Sequence, residues 1–84
     1  MIRDEYTAQE IARELAFEAA QSRQFLDFSI IRAGLIEAGV DPALYKSLEK
    51  TCFTTLLAEG LLEDTGEVTE VSGRSFKLFK SLIF

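Results

Sequence analysis

The residues best suited to chemistry are basic side chains in the second half of the chain, and the chemistry they suit is neutralising phosphate charge. Lys46 and Lys50 stand at i and i+4 in a helical stretch, flanked by Ala43, Ser47 and Thr54. Arg74, Lys77 and Lys80 form the clearest basic cluster in an otherwise acidic sequence. Cations in these patterns fit a helix face and a strand lying beside phosphates. They equally fit a solvated helix face and, on the strand, charges that guard an apolar terminal segment against aggregation. The helical stretch carries no Arg, Asn or Gln, so among the usual base-reading side chains only lysine is present.

Other chemistries find little support. The chain has no histidine and one cysteine, so a His-based triad, a Cys/His zinc site and an intrachain disulfide are unavailable. Cys52 has apolar neighbours and reads as a buried, inert thiol, because a nucleophilic cysteine needs a partner that lowers its pKa. Acidic residues are spread over helix faces without evident convergence. No catalytic residue, cofactor, metal or small-molecule ligand is therefore expected. Nine Lys and Arg stand against fourteen Asp and Glu, a net charge of −5, which weighs against strong non-specific DNA binding. The distribution of charge matters more than the total. The polar start, MIRDEYTAQE, is unlike a signal peptide, and the apolar runs are too short to span a bilayer. A cytoplasmic protein of one domain, residues 1–84, is the simplest expectation. A core of that size is modest, and self-association would help it.

Three helices must position the basic residues. Thr7-Ala8-Gln9-Glu10 is a capping-box pattern, so the first helix is expected to start at Thr7. Ala8, Ile11, Ala12, Leu15 and Ala19 form its apolar stripe. Phe17 lies roughly opposite, with Tyr6 and Arg13 near it. These three are candidates for a second contact surface such as a homodimer seam, or simply a partly exposed aromatic patch. A second helix follows Asp27 or Ser29, either of which can cap it, with Phe28, Ile31, Leu35 and Ala38 on one face. Gly34 lowers helix propensity but allows close packing. Gly39 ends this helix and Val40 can plug the corner. Asp41 and Pro42 then open a third helix, which Gly60 closes, with Leu44, Leu48, Cys52, Thr55 and Leu56 towards the core.

The remainder reads as a hairpin. Glu63-Asp64-Thr65-Gly66 is expected as a turn, Glu67–Val71 as a strand, and Ser72-Gly73-Arg74 as the hairpin turn. The last strand would place Phe76, Leu78, Leu82 and Phe84 on one face and Lys77 and Phe79 on the other. A short terminal helix beyond Phe79 also fits the spacing.

The run FSIIRAGLIEAGVDPALYKSLEKTCFTTLLAEGLLED followed by TGEVTEVSGRSFKLF resembles the winged helix-turn-helix superfamily. Leu56 to Asp64 is similar to a recognition helix passing into the wing, and Ser72 to Leu78 to the wing's return strand. The resemblance implies an α+β fold of three helices and a C-terminal β-hairpin, with a small strand at Phe25-Leu26 paired to that hairpin. It also implies that Ala43, Lys46, Ser47 and Lys50 face duplex DNA, with Arg74 at the wing tip and Lys77 and Lys80 along it. A DNA-binding transcriptional regulator, dimeric in keeping with the small core, is one expectation. The alternative is an acidic winged-helix module that binds protein rather than DNA, or that mimics nucleic acid.

Overall fold

The first helix begins earlier than the capping pattern predicts. In the computed structural model, which describes residues 1–84, α1 spans Glu5–Ser22 and its N-cap is Asp4, not Thr7. The Asp4 carboxylate accepts from the Thr7 backbone N–H at 3.0 Å and from the Thr7 hydroxyl at 2.6 Å. An ionised acceptor is stronger than a hydroxyl, so aspartate takes the cap. The same two hydrogen bonds, the hydroxyl's foremost, hold the Asp4 carboxyl below its usual range. The buried side of α1 is almost entirely alanine: Ala8, Ala12, Ala16, Ala19 and Ala20, with Ile11 and Leu15 partly buried beside them.

A two-residue strand, β1 (Phe25–Leu26), leads into α2 (Phe28–Ala38). Asp27 caps α2 by accepting from the Ser29 N–H at 2.7 Å. Phe28, Ile31 and Leu35 are buried, as their spacing predicts, but Ala38 is exposed. Val40 fills the core at that end instead, folded back so that its N–H donates to the Leu35 carbonyl at 3.0 Å. Small residues bring α1 and α2 together: a Cβ placed on Gly34 would lie 2.7 Å from Leu15 Cδ2. The N-terminus braces the corner after α2. The Ile2 N–H donates to the Gly39 carbonyl at 2.7 Å, and the Asp41 N–H donates to the Ile2 carbonyl at 2.8 Å.

The stretch expected as one helix from Asp41 to Gly60 is three pieces. Pro42–Leu44 forms a 3-10 helix capped by Asp41, α3 spans Tyr45–Thr51, and α4 spans Thr54–Ala58. The break at Cys52-Phe53 has two causes. Threonines are poor helix formers, and here they divert backbone acceptors: the Thr54 hydroxyl donates to the Thr51 carbonyl at 2.8 Å and the Thr51 hydroxyl to the Ser47 carbonyl at 3.3 Å. Phe53 also turns inward onto Phe79, their ring centroids 4.7 Å apart and the planes inclined by 45°. Leu48, Cys52 and Leu56 remain in the core, while Thr55 is exposed.

Strands β2 (Leu62–Val71) and β3 (Arg74–Ser81) pair antiparallel, and β1 pairs antiparallel with the other edge of β3, giving the order β1-β3-β2. The expected turn at Glu63–Gly66 is therefore part of a strand. Its turn chemistry survives as an irregularity between Asp64 and Val68. The Gly66 N–H donates to the Asp64 carboxylate at 2.9 Å, the Glu67 N–H donates to the Thr65 hydroxyl at 3.1 Å, and Gly66 takes φ 76°. Ser72 and Gly73, with φ 52° and 79°, make a two-residue hairpin turn that pairs Val71 with Arg74. Phe79 packs on Phe53, and Phe76, three residues earlier, is buried beside α2. The strand ends at Ser81, so neither a strand to Phe84 nor a terminal helix forms, and Leu82 and Phe84 are exposed. Ser81 secures that end, its buried hydroxyl donating to the Ala20 carbonyl of α1. No helix is long and apolar enough to cross a membrane.

Because the Gly34 site is closed by Leu15, the two positions should be coupled. Gly34→Ala gains about 1 kcal/mol of helix propensity, yet its methyl must displace the Leu15 side chain. Urea unfolding should show Gly34→Ala to be more favourable in a Leu15→Ala background than in the wild type, with a coupling energy of about 0.5–3 kcal/mol. Strictly additive values would show that the helices do not meet there.

Candidate nucleic-acid interface

Lys46 and Lys50 project from one side of α3, and Arg74 and Lys77 from β3, and all four line one groove of about 990 Å³. Its floor includes Phe28, Phe53 and Phe79, so the aromatic contact that breaks the third helix also shapes the groove. Arg32 of α2 lines it too, its guanidinium 5.6 Å from the centre of the Tyr45 ring. Five cationic side chains thus share the groove with two carboxylates, Glu49 and Asp64. Each carboxylate holds one cation of the hairpin wall. Arg74 Nη2 lies 3.5 Å from Glu49 Oε1, and Lys77 Nζ lies 3.9 Å from Asp64 Oδ2. The Arg74 guanidinium also sits over the Phe76 ring, 5.0 Å from its centre. Both ion pairs are solvent-exposed to a degree that makes each a weak contributor to stability.

Three expected contact residues lie outside the groove. Ala43 is exposed on the 3-10 helix. Ser47 is turned towards α1, its hydroxyl donating to the Glu5 carboxylate at 3.0 Å. Lys80 is half-buried in mid-sheet, opposite Phe25 on one side and Glu63 on the other. Lys77 lines the groove and Lys80 does not, so the basic run of the sequence is divided in space. The candidate contact residues of α1 stay on the surface. Tyr6 is 72% and Phe17 41% exposed, and Arg13 Nη1 lies 3.3 Å from Glu10 Oε1.

Sequence reasoning missed Arg32 and the two groove carboxylates. Arg32 is the only basic residue of α2, a signal that was available. Glu49 and Asp64 gain their role only when α3 and the hairpin face each other. No three His, Cys, Asp or Glu residues converge as a metal site.

Cys52 is 1% exposed, and burial pushes its thiol up to about 12 from an ordinary 9.0. At neutral pH it is a protonated core side chain. As pH rises, the unfolded chain loses this proton first, so the group leaves stability unchanged below about 9 and lowers it between there and about 12. The unfolding free energy of the wild type should therefore fall more steeply over that interval than that of Cys52→Ala. Parallel curves would mean that the thiol reaches water in the folded state.

Neither a family model, nor a curated protein, nor a solved structure matches this chain.

Proposed function

We propose that this chain is a small winged helix-turn-helix DNA-binding protein that acts as a transcriptional regulator, seating duplex DNA against α3 and the β2–β3 hairpin. The carrying observation is the segregation of charge. A chain of net charge −5 gathers five of its nine cations in one groove with only two carboxylates. The rest of the surface is correspondingly acidic, so a polyanion is steered to the groove and repelled elsewhere. The order of elements supports the same reading: helix, short strand, two helical segments separated by a tight corner, then a hairpin whose return strand is central in the sheet. Within this reading α3 is the recognition helix by position, and the hairpin contributes as much charge as the helix does.

Fluorescence anisotropy with a labelled duplex at low salt tests it. Affinity should fall as salt rises, with a log–log slope of about −0.9 for each phosphate neutralised. Lys46→Gln, Lys50→Gln, Arg74→Gln and Lys77→Gln should each weaken binding and flatten the slope by about one contact. Lys80→Gln should leave both unchanged. Absence of binding at high micromolar protein would defeat the proposal.

One observation favours a second reading, a module that binds a second copy of itself rather than DNA. Tyr6 and Phe17 remain on the surface of α1, and the core of an 84-residue chain gains from burying them. Light scattering should then give twice the chain mass, reduced to a monomer by Phe17→Ser. A monomer at all concentrations would remove this reading.

A further inference from the structure

The five groove cations differ in how their charge is answered. Arg74 and Lys77 each have a carboxylate within ion-pair distance. Lys46, Lys50 and Arg32, on the helical wall, have none. The two lysines are exposed, and water satisfies their ammonium groups. Arg32 is half-buried, and its Nε is closed off from solvent with no acceptor. Arg13 Nε shares that condition, but its guanidinium is already held by Glu10.

Arg32 is also oriented before any ligand arrives. Its guanidinium rests over the Tyr45 ring, and the Tyr45 hydroxyl reaches back to donate to the Val40 carbonyl at 3.4 Å. The ring is therefore a platform fixed to the corner between α2 and α3. A stacked guanidinium presents a rigid fork of donors that matches two phosphate oxygens, and less freedom is lost when it binds. Arg32 lines both the main groove and the adjoining shallow pocket, as does Arg74, so it stands where the helical wall meets the hairpin.

From this arrangement we infer that Arg32, stacked on Tyr45, is the anchor for one phosphodiester group of the bound nucleic acid. The assignment rests on the DNA-binding reading, but its first test does not require DNA. It concerns the geometry of a planar donor, not merely one more positive charge. Lysine should therefore fail to replace Arg32, although arginine should replace Lys50 freely.

The first test titrates the full chain with inorganic phosphate and follows arginine Nε–H signals by nitrogen-15 NMR. The Arg32 signal should move more than those of Arg74 and Arg13, and Tyr45→Leu should diminish the movement. The second measures duplex affinity by anisotropy. Arg32→Lys should weaken binding by about tenfold, the worth of a charged hydrogen bond, with the salt slope retained. Lys50→Arg should bind like the wild type, and thermal melts should show that both variants fold. An unmoved Arg32 signal in phosphate, or Arg32→Lys binding as tightly as the wild type, overturns the inference. A phosphate response at Arg32 without duplex binding keeps the anchor and overturns the DNA reading instead.

Discussion

The contact between Phe53 and Phe79 is the one on which the rest of the arrangement depends. Phe53 can reach the sheet only where the third helical stretch breaks, and Phe79 faces it only because β3 lies between β1 and β2. An aromatic pair at 4.7 Å adds a geometric preference to the burial of two large side chains. It joins the helical layer to β3 beside the groove that both rings line. On one side the alanine face of α1 and Gly34 let the helices close up. On the other, large side chains keep the sheet away. Small residues make the bundle tight, and aromatic residues leave a concave surface at its edge.

Electrostatics within the groove are balanced more finely than the list of cations suggests. The hairpin cations are held by Glu49 and Asp64, whereas the helical cations are not. Glu49 belongs to α3 and Arg74 to β3, so their ion pair spans the groove and relates the hairpin to the helix before anything binds. An exposed pair of this kind is weak. The acidic total of the chain is thus compatible with a locally basic groove.

Features set by local chemistry were legible in the sequence. Asp27, Gly39 and Asp41 bound their elements as expected, and Gly73 marked the hairpin tip, because caps and tight turns depend on neighbours a few residues away. Features set by distant partners were not. Thr51 and Thr54 weaken the helix near Cys52, but the inward turn of Phe53 at the break depends on where Phe79 lies. The Asp64-Thr65-Gly66 segment shows both cases at once. Its side chains form the turn they suggest, but within a strand already committed by pairing with β3. At the candidate site, charge and spacing single out Lys46, Lys50, Arg74 and Lys77, and these four line one groove. Lys80 is their neighbour along the chain, but it lies in mid-sheet between Phe25 and Glu63. Arg32 is marked in the sequence only as the one basic residue of α2, and its stacking on Tyr45 emerges only in the fold.

The pairing of β1 with β3 has a consequence for how the chain is made. Phe25 and Leu26 find their partners at Lys80 and Phe79, which are synthesised long after them. The Ile2–Val40 bridge and the α1–α2 contact need only the first half of the chain. At about 5–20 residues per second, the early half waits several seconds for its final strand. During that interval Leu26 and Phe28 remain uncovered on the nascent chain, and the side on which the groove will form is the last to close.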